Sequence, residues 1–452
     1  MTGEQKSFYR VKISGYAHDG VGVGRIEGQV IFVPGALRGE EVLVEIDERR
    51  KGVLRGRVKE VLCPSAERLE PTCAVYAQCG GCQLQHVTYA AQLRIKQEIV
   101  QDALQRIGGF KDVSVQPVLG METPWRYRNK GCFQVGRRKD KVSLGFFEEG
   151  THCLVAESCR HLFSPKVTSL VDSLEEILSA FQVKVAQKGV PGLHQILIRE
   201  SRAKGEILLV FIYSGKYCDK KKAIAREIFR KYSEVVGVCQ SENTKAAGSI
   251  LDRKVEIIKG RNWLEDKIGS LTFIISPASF FQVNSMQTNV LYEKVLEYVA
   301  LSGEAEVVDA YCGIGTISLF LAKRARKVTG IEIVPEAVAD ARKNAERNGI
   351  NNVEFVQGKA EKIMPQMVTR GARSQVVVVD PPRKGCDREL LDSIITVRAQ
   401  RVVYVSCNPA TLVRDLRYLA DGGYVLKEVQ PVDMFPQTAH VECVVLMSKV
   451  ED

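Results

Sequence analysis

Three residues in the last third of the chain stand where reactive side chains are most useful. Cys407 ends the apolar run 401–406 and is followed by Asn408 and Pro409, which break a strand at once. A thiol at the carboxyl tip of a strand in an open α/β sheet faces the edge where such sheets bind ligands. Cys407 is therefore the candidate nucleophile, with an inert core cysteine as the alternative. Glu442 follows His440 and Val441 and opens another apolar run. Glutamate is disfavoured in strands, so a carboxylate at a strand mouth is a candidate proton acceptor; the alternative is an exposed edge residue. Asp380 ends the run 376–379 and begins Asp380-Pro381-Pro382-Arg383. The prolines rigidify that turn and remove backbone donors, leaving the carboxylate to face a ligand unless it caps the next helix.

A second group of residues points to a nucleoside cofactor. The run 307–310 leads into a turn bearing Gly313 and Gly315 and then a helix start, as in nucleotide-binding βα units. Glu332 ends the next apolar run, nineteen residues after Gly313, the usual distance for a carboxylate that grips ribose hydroxyls. Ser318 occupies the third glycine position of a dinucleotide loop, which disfavours a pyrophosphate. An acid-Pro-Pro turn after such a unit is typical of methyltransferases that use S-adenosylmethionine.

Cys73, Cys79 and Cys82 fall within ten residues, in a loop with Pro71, Gly80 and Gly81. Glycine turns let thiolates converge on one metal centre. A fourth ligand is needed; Cys159 is the leading candidate, with Cys153 and His86 as rivals. Zinc and an iron–sulfur cluster suit four thiolates equally well.

These groups need elements to position them. A chain of 452 residues is too long for one core and implies roughly two to four domains. Its 45% hydrophobic and 26% charged residues exclude wholesale disorder. No window is apolar for the roughly 20 residues of a membrane span, and the start, residues 1–6, lacks a signal-peptide core. The odd count of 13 cysteines argues against a secreted disulfide framework, so a cytoplasmic location is expected. Lysine and arginine number 64 against 54 acidic residues, an excess of 10 that suits a polyanionic partner.

Residues 1–61 alternate apolar and polar positions between glycine and proline breaks, which predicts a five-stranded barrel of the oligonucleotide-binding type. Arg49, Arg50, Lys51, Arg55, Arg57 and Lys59 form a basic run in its last hairpin. An amphipathic helix is predicted over 92–107, ended by Gly108 and Gly109. Residues 62–270 read as an α+β domain, with helices over 166–181 and 220–231 between strands. From 271 to 452 the pattern is a regular β/α alternation.

In order along the chain stand Phe280-Phe281-Gln282-Val283-Asn284, Asp309-Ala310-Tyr311-Cys312-Gly313-Ile314-Gly315-Thr316, Asp380-Pro381-Pro382-Arg383, Ser406-Cys407-Asn408-Pro409 and His440-Val441-Glu442. With these motifs the chain resembles the RNA uracil-5-methyltransferase family. The resemblance implies an N-terminal TRAM barrel, an α+β central domain with an iron–sulfur loop, and a C-terminal Rossmann-like methyltransferase domain. It implies S-adenosylmethionine contacts at Gln282, Tyr311, Glu332 and Asp380, a nucleophile at Cys407 and a base at Glu442. It also implies a [4Fe-4S] cluster on Cys73, Cys79, Cys82 and Cys159. Members with both accessory modules resemble the 23S ribosomal RNA enzymes, whereas the transfer RNA T-loop enzymes are typically smaller.

The residue types match that chemistry. Carbon 5 of uracil is a weak nucleophile until a thiolate adds to carbon 6, and a carboxylate must then take the carbon 5 proton. The base must leave the RNA stack, which favours loops and single strands as substrates, with Arg126, Tyr127, Arg128 and Lys130 as candidate contacts. An amino-group methyltransferase would not need Cys407 or Glu442. A non-catalytic iron–sulfur RNA-binding protein would leave the last 180 or so residues unexplained. A monomer without protein partners is expected.

Overall fold

The computed structural model describes residues 8–50, 52–187, 189–215, 220–242, 255–301, 303–371 and 374–450. Its N-terminal sheet has six strands. Phe8–Lys12 pairs with Glu41–Arg50, which pairs with Val53–Cys63; this last strand runs parallel to Gln29–Val33, and Gly22–Ile26 and Gly15–Tyr16 complete the order. Alternation builds the core, with Val11, Ile31, Val33, Val42, Val44 and Leu54 all turned inward. The sheet curls because Gly24 has no side chain to hold the first strand off: a Cβ there would lie 2.4 Å from Val11. Ser14 donates its N–H to the Val23 carbonyl across that contact at 2.8 Å. The strand beyond the expected five is the two-residue Gly15–Tyr16.

The central sheet has seven strands in the order Glu256–Gly260, Val235–Glu242, Ile207–Ser214, Gly192–Glu200, Lys130–Arg138, Lys141–Phe147, Leu154–Ala156. Its one parallel pair, Ile207–Ser214 with Val235–Glu242, is joined through the helix Lys221–Lys231. The helix Pro165–Ala180, capped by Ser164, packs its apolar stripe on the sheet.

The C-terminal sheet runs Val353–Gln357, Lys327–Glu332, Glu306–Ala310, Val376–Val379, Arg401–Ser406, Glu442–Lys449, Tyr424–Val432. The first five strands are parallel; the last two are antiparallel to their neighbours. Continuous apolar runs such as Val376–Val379 are buried on both faces, as parallel strands flanked by helices require. Glu442–Lys449 enters from the edge at which the parallel strands end, so its first residue joins their carboxyl tips.

Two features cut across the expected division at 62, 270 and 271. The helix Tyr89–Arg106 precedes the central sheet in sequence, yet Val100, Ala103 and Leu104 share a core with Val377, Leu412 and Leu416 of the C-terminal unit. The 270/271 junction falls in the turn of the hairpin Leu264–Ile268 and Leu271–Ile275. Among the described residues no helix is long and apolar enough to cross a membrane.

Candidate active site

Register brings the two reactive groups together. Ser406 pairs with Cys443 in the antiparallel ladder, so one further step sets Cys407 beside Glu442. Glu442 is buried and flanked by strands on both sides, which excludes the exposed-edge reading. Cys407 is half-buried in a turn made by its neighbours. Ser406 Oγ accepts from the Asn408 N–H at 3.1 Å, and Asn408 Oδ1 accepts from the Ala410 N–H at 3.1 Å to start the helix Pro409–Asp421. Asn408 Nδ2 and Thr411 Oγ1 both donate to the Arg383 carbonyl at 3.1 Å, tying the Asp380-Pro381-Pro382-Arg383 turn to the cysteine turn.

The charges in this corner oppose one another. Burial pushes the Cys407 thiol up to about 11, the carboxylates of Glu442 and Asp380 add to that rise, and the Arg383 guanidinium works against it. Burial and then Asp380 hold Glu442 well above the usual carboxylate range. Burial alone lifts Asp380 to about 7. Cys407 opens onto a cleft of about 640 Å³, which also takes its walls from Arg383, Asn408 and His440, from His18 and Gly20 of the N-terminal sheet, and from Tyr76 and Gln78 of the thiol loop. That volume admits a nucleotide.

Gln282, Tyr311 and Asp380 line one narrow recess with Tyr292, Gly313 and the exposed Phe280. Tyr311, Gly313 and Gly315 hold the left-handed turn at φ 68°, 56° and 80°. Glu332 sits across that turn, accepting the Gly313 N–H at 3.0 Å and the Val334 N–H at 2.8 Å. All four expected cofactor residues therefore surround the same βα turn. Asp380 caps no helix; the next helix, Arg388–Val397, begins after Asp387.

Ser318 explains why the third glycine is absent, since its hydroxyl donates to Asp309 Oδ2 at 2.5 Å beneath the turn. Asp309 is fully buried and its Oδ1 has no partner among the described residues. Two buried residues, Asn129 just before the strand Lys130–Arg138 and Arg199 in the strand Gly192–Glu200, shape the recess from outside. Asn129 Nδ2 donates to the Gln282 carbonyl at 3.0 Å, and Arg199 donates to the carbonyls of Pro277 and Ser279. Neither residue carries a sequence signal, because each acts on backbone about 80 to 150 positions away.

Cys73, Cys79, Cys82 and Cys159 line a cavity of about 60 Å³ with Arg128, Phe146 and Phe163. Cys159 has φ 57°, unusual for a residue with a side chain. Burial and the neighbouring thiols Cys79 and Cys73 push Cys82 up to about 11, with a hydrogen bond to Gln85 opposing. The rivals lie elsewhere: Cys153 is exposed, and His86 Nδ1 is engaged by the Tyr76 hydroxyl at 2.6 Å. Among the described residues no three His, Cys, Asp or Glu side chains are placed to hold a single metal ion.

Two of the expected RNA contacts, Tyr127 and Lys130, are turned into the protein, and cations of the basic run pair with acidic neighbours at the surface. Tyr127 is 1% exposed and donates its hydroxyl to the Pro436 carbonyl at 3.0 Å, so it is a core residue. Lys130 is largely buried, which together with the charges of Arg199 and Arg128 lowers it to about 8. In the basic run, Arg50 pairs with Glu48, Arg57 with Asp47 at 3.0 Å and Lys59 with Glu45 at 2.6 Å. Lys51 lies outside the described residues.

The chain is similar to known RNA methyltransferases. The family model described as tRNA (Uracil-5-)-methyltransferase matches residues 88–450, and the TRAM domain model matches residues 4–59. An uncharacterized RNA methyltransferase of Bacillus cereus is 46% identical over 451 residues, 99% of this chain and 98% of that protein. One of Halalkalibacterium halodurans is 46% identical over 440 residues, 97% of this chain and 96% of that protein. Among solved structures, the Pyrococcus abyssi tRNA (uracil-54, C5)-methyltransferase in complex with S-adenosyl-L-homocysteine superposes with a TM-score of 0.77 at 27% identity, covering 97% of this chain and 99% of that one.

Proposed function

The chain belongs to the tRNA (uracil-5-)-methyltransferase family, with an N-terminal TRAM domain and a fold that uses S-adenosylmethionine, and on that premise we propose that it methylates carbon 5 of a uridine in 23S ribosomal RNA through a covalent adduct to Cys407. The observation that carries this reading is Cys407 at the wall of a nucleotide-sized cleft, one step beyond the Ser406–Cys443 ladder pair and so beside the buried Glu442.

S-adenosylmethionine, when bound, supplies an electrophilic methyl group. Gln282, Tyr311, Glu332 and Asp380 are the residues that would hold it, and the fit rests on their convergence around one glycine turn. At neutral pH the Cys407 thiol is protonated, so its proton leaves to solvent as the thiolate adds to carbon 6 of uracil. The carbon–sulfur bond forms while the carbon 5–carbon 6 double bond becomes an enolate, whose carbon 5 would take the methyl as the sulfonium S–CH3 bond breaks and S-adenosylhomocysteine departs. Glu442, as carboxylate, then accepts the carbon 5 proton, the double bond re-forms and the thiolate departs. Burial raises the proton affinity of Glu442, so this carboxyl must first lose its own proton and, once ionised, is a stronger base for that step.

Cys73, Cys79, Cys82 and Cys159 would hold a [4Fe-4S] cluster. Tetrahedral zinc with Zn–S bonds of about 2.3 Å needs four thiolates close together. Four thiols lining one cavity are the donor set that such a cluster takes. The cluster would tie residues 73–82 to residue 159 and so stiffen one wall of the cleft.

The curled N-terminal sheet acts as an oligonucleotide-binding barrel. A second groove of about 520 Å³ joins the catalytic cleft through His18, Asp19 and Val21. Phe32, Arg25 and Arg55 line it from the sheet and Arg106 from the helix Tyr89–Arg106, a mix of aromatic and cationic groups suited to single-stranded RNA. Arg55 forms no salt bridge among the described residues and is the member of the basic run that faces this path.

A transfer RNA substrate is the second reading, favoured by the Pyrococcus abyssi enzyme. Its likeness spans 97% of this chain, so the N-terminal module alone does not separate the two RNAs. Mapping 5-methyluridine in a deletion strain decides the matter: loss from 23S RNA with T-loop methylation intact supports the proposal, and the reverse overturns it.

A further inference from the structure

Between the strands Tyr424–Val432 and Glu442–Lys449, residues 433–441 form a connection with several buried polar anchors. Asp433 Oδ1 accepts from Lys96 Nζ at 2.5 Å and Oδ2 from the Tyr89 hydroxyl at 2.8 Å, with both Lys96 and Asp433 wholly buried. Lys96 reaches on to the Phe435 carbonyl at 3.0 Å, and Asn284 Nδ2 donates to the Met434 carbonyl at 3.1 Å.

The most heavily engaged residue is Gln437, which is 2% exposed and held at φ 71°. A left-handed backbone at a residue with a side chain persists only where its surroundings over-determine it. Gln92 supplies that restraint from the helix Tyr89–Arg106. Its Oε1 accepts the Gln437 N–H at 3.0 Å and its Nε2 donates to Gln437 Oε1 at 2.9 Å. The Gln437 carbonyl accepts two further N–H groups, from Gln83 and Leu84 at 3.0 Å each. Those two residues directly follow Cys82. Two positions beyond Gln437, Ala439 packs against Gly20 of the N-terminal sheet, where an added Cβ would come within 2.9 Å of it. Three positions further stands Glu442.

We propose that the reciprocal Gln92–Gln437 pair is a positioning latch for Glu442, by which the thiol loop and the helix Tyr89–Arg106 together hold the base where it meets the carbon 5 proton. This rests on the reading of Glu442 as base. The latch touches neither Cys407 nor the cofactor turn, so it serves the elimination half of the reaction and not the addition half. A displacement of about 1 Å at a reacting group costs on the order of 100-fold in rate.

Gln437→Gly keeps the left-handed backbone accessible and deletes the amide, while Gln92→Ala removes the partner from the helix side together with its bonds to the Leu84 and Val87 carbonyls. In single-turnover reactions with radiolabelled S-adenosylmethionine, both variants form the denaturation-resistant methylated RNA adduct within about threefold of the wild-type rate and resolve it roughly 10- to 100-fold more slowly. Iron and sulfide content and S-adenosylhomocysteine affinity stay at the wild-type level, which separates the latch from general loss of structure. Should Gln437→Gly fail to fold, Gln92→Ala carries the same readout. Glu442→Gln is run alongside. If it accumulates adduct and the two latch variants do not, the latch is overturned and the reading of Glu442 stands. Equal slowing of both halves also overturns the latch. If Glu442→Gln accumulates none, the assignment of the base falls and takes the latch with it.

Discussion

Two sulfur environments meet at one wall of this enzyme. Cys407 stands in a cleft of about 640 Å³, half-buried, beside an arginine and a carboxylate. Cys73, Cys79, Cys82 and Cys159 face one another around about 60 Å³ of enclosed space. Cys79 and Cys82 border both volumes. A thiol at a strand tip beside the large cleft has room for a substrate; the four thiols share a cavity of about 60 Å³ with Arg128 and two phenylalanines. The element that presents a thiol, and what stands opposite it, separates the proposed nucleophile from the proposed ligands.

The sharpest way to break that comparison is to exchange function for inertness at Cys407. Cys407→Ala is expected to lower methylation by more than about 10³-fold while S-adenosylhomocysteine binding, read by calorimetry, stays within about twofold. An adduct still formed by this variant would move the nucleophile to another thiol, although Cys312 and Cys386 are both buried. Glu442→Gln is expected to slow turnover roughly 100-fold and to leave methylated adduct on denaturing gels. Wild-type turnover there would hand proton removal to water or to His440, which lines the same cleft.

The thiol cavity is tested by composition. Anaerobically prepared protein is expected to carry about four iron and four sulfide, and Cys159→Ser to lose most of both while the Cys407 alkylation rate changes little. Stoichiometric zinc without sulfide would sink the cluster. The pH response of Cys407 gives a finer measure. With the thiol pushed up to about 11, its thiolate fraction grows with pH, so iodoacetamide labelling in the free enzyme should rise about tenfold per unit between pH 7 and 10. Arg383 opposes that rise in the thiol's proton affinity, so Arg383→Gln should lower labelling at pH 8 by a few fold; no change would remove Arg383 from the thiol's surroundings. Smallest of all, Arg55→Ala should weaken binding of a uridine-containing RNA hairpin by roughly two- to fivefold at low salt, with S-adenosylhomocysteine affinity untouched.

Cys407, Asp380 and Glu332 were legible because each ends an apolar run in a regular β/α alternation, where the end of a strand is also the ligand edge of the sheet. Glu442 was legible by the same rule, as a carboxylate in a place that strand propensity disfavours. Tyr127 was misread as an RNA contact. Its neighbours Arg126 and Arg128 are basic, but only the folded chain reveals that its ring is enclosed and its hydroxyl taken by Pro436. The partners of the basic run were not legible either: Glu48 on the same strand and Glu45 and Asp47 across the hairpin pair with its still exposed cations.

Local pattern alone determined the identity of the strands, the glycine turn, the cysteine loop and the order of the family motifs, because each depends on residues a few positions apart. Tertiary structure decided what faces what. It brought Cys159 to Cys82 from 77 positions away in sequence, and the helix Tyr89–Arg106 to the segment before Glu442 across an interval of 345 residues between Gln92 and Gln437. Hydrogen bonds and packing over such distances follow from the register of a sheet and the burial of a helix face, and neither is written in the residues that make the contact.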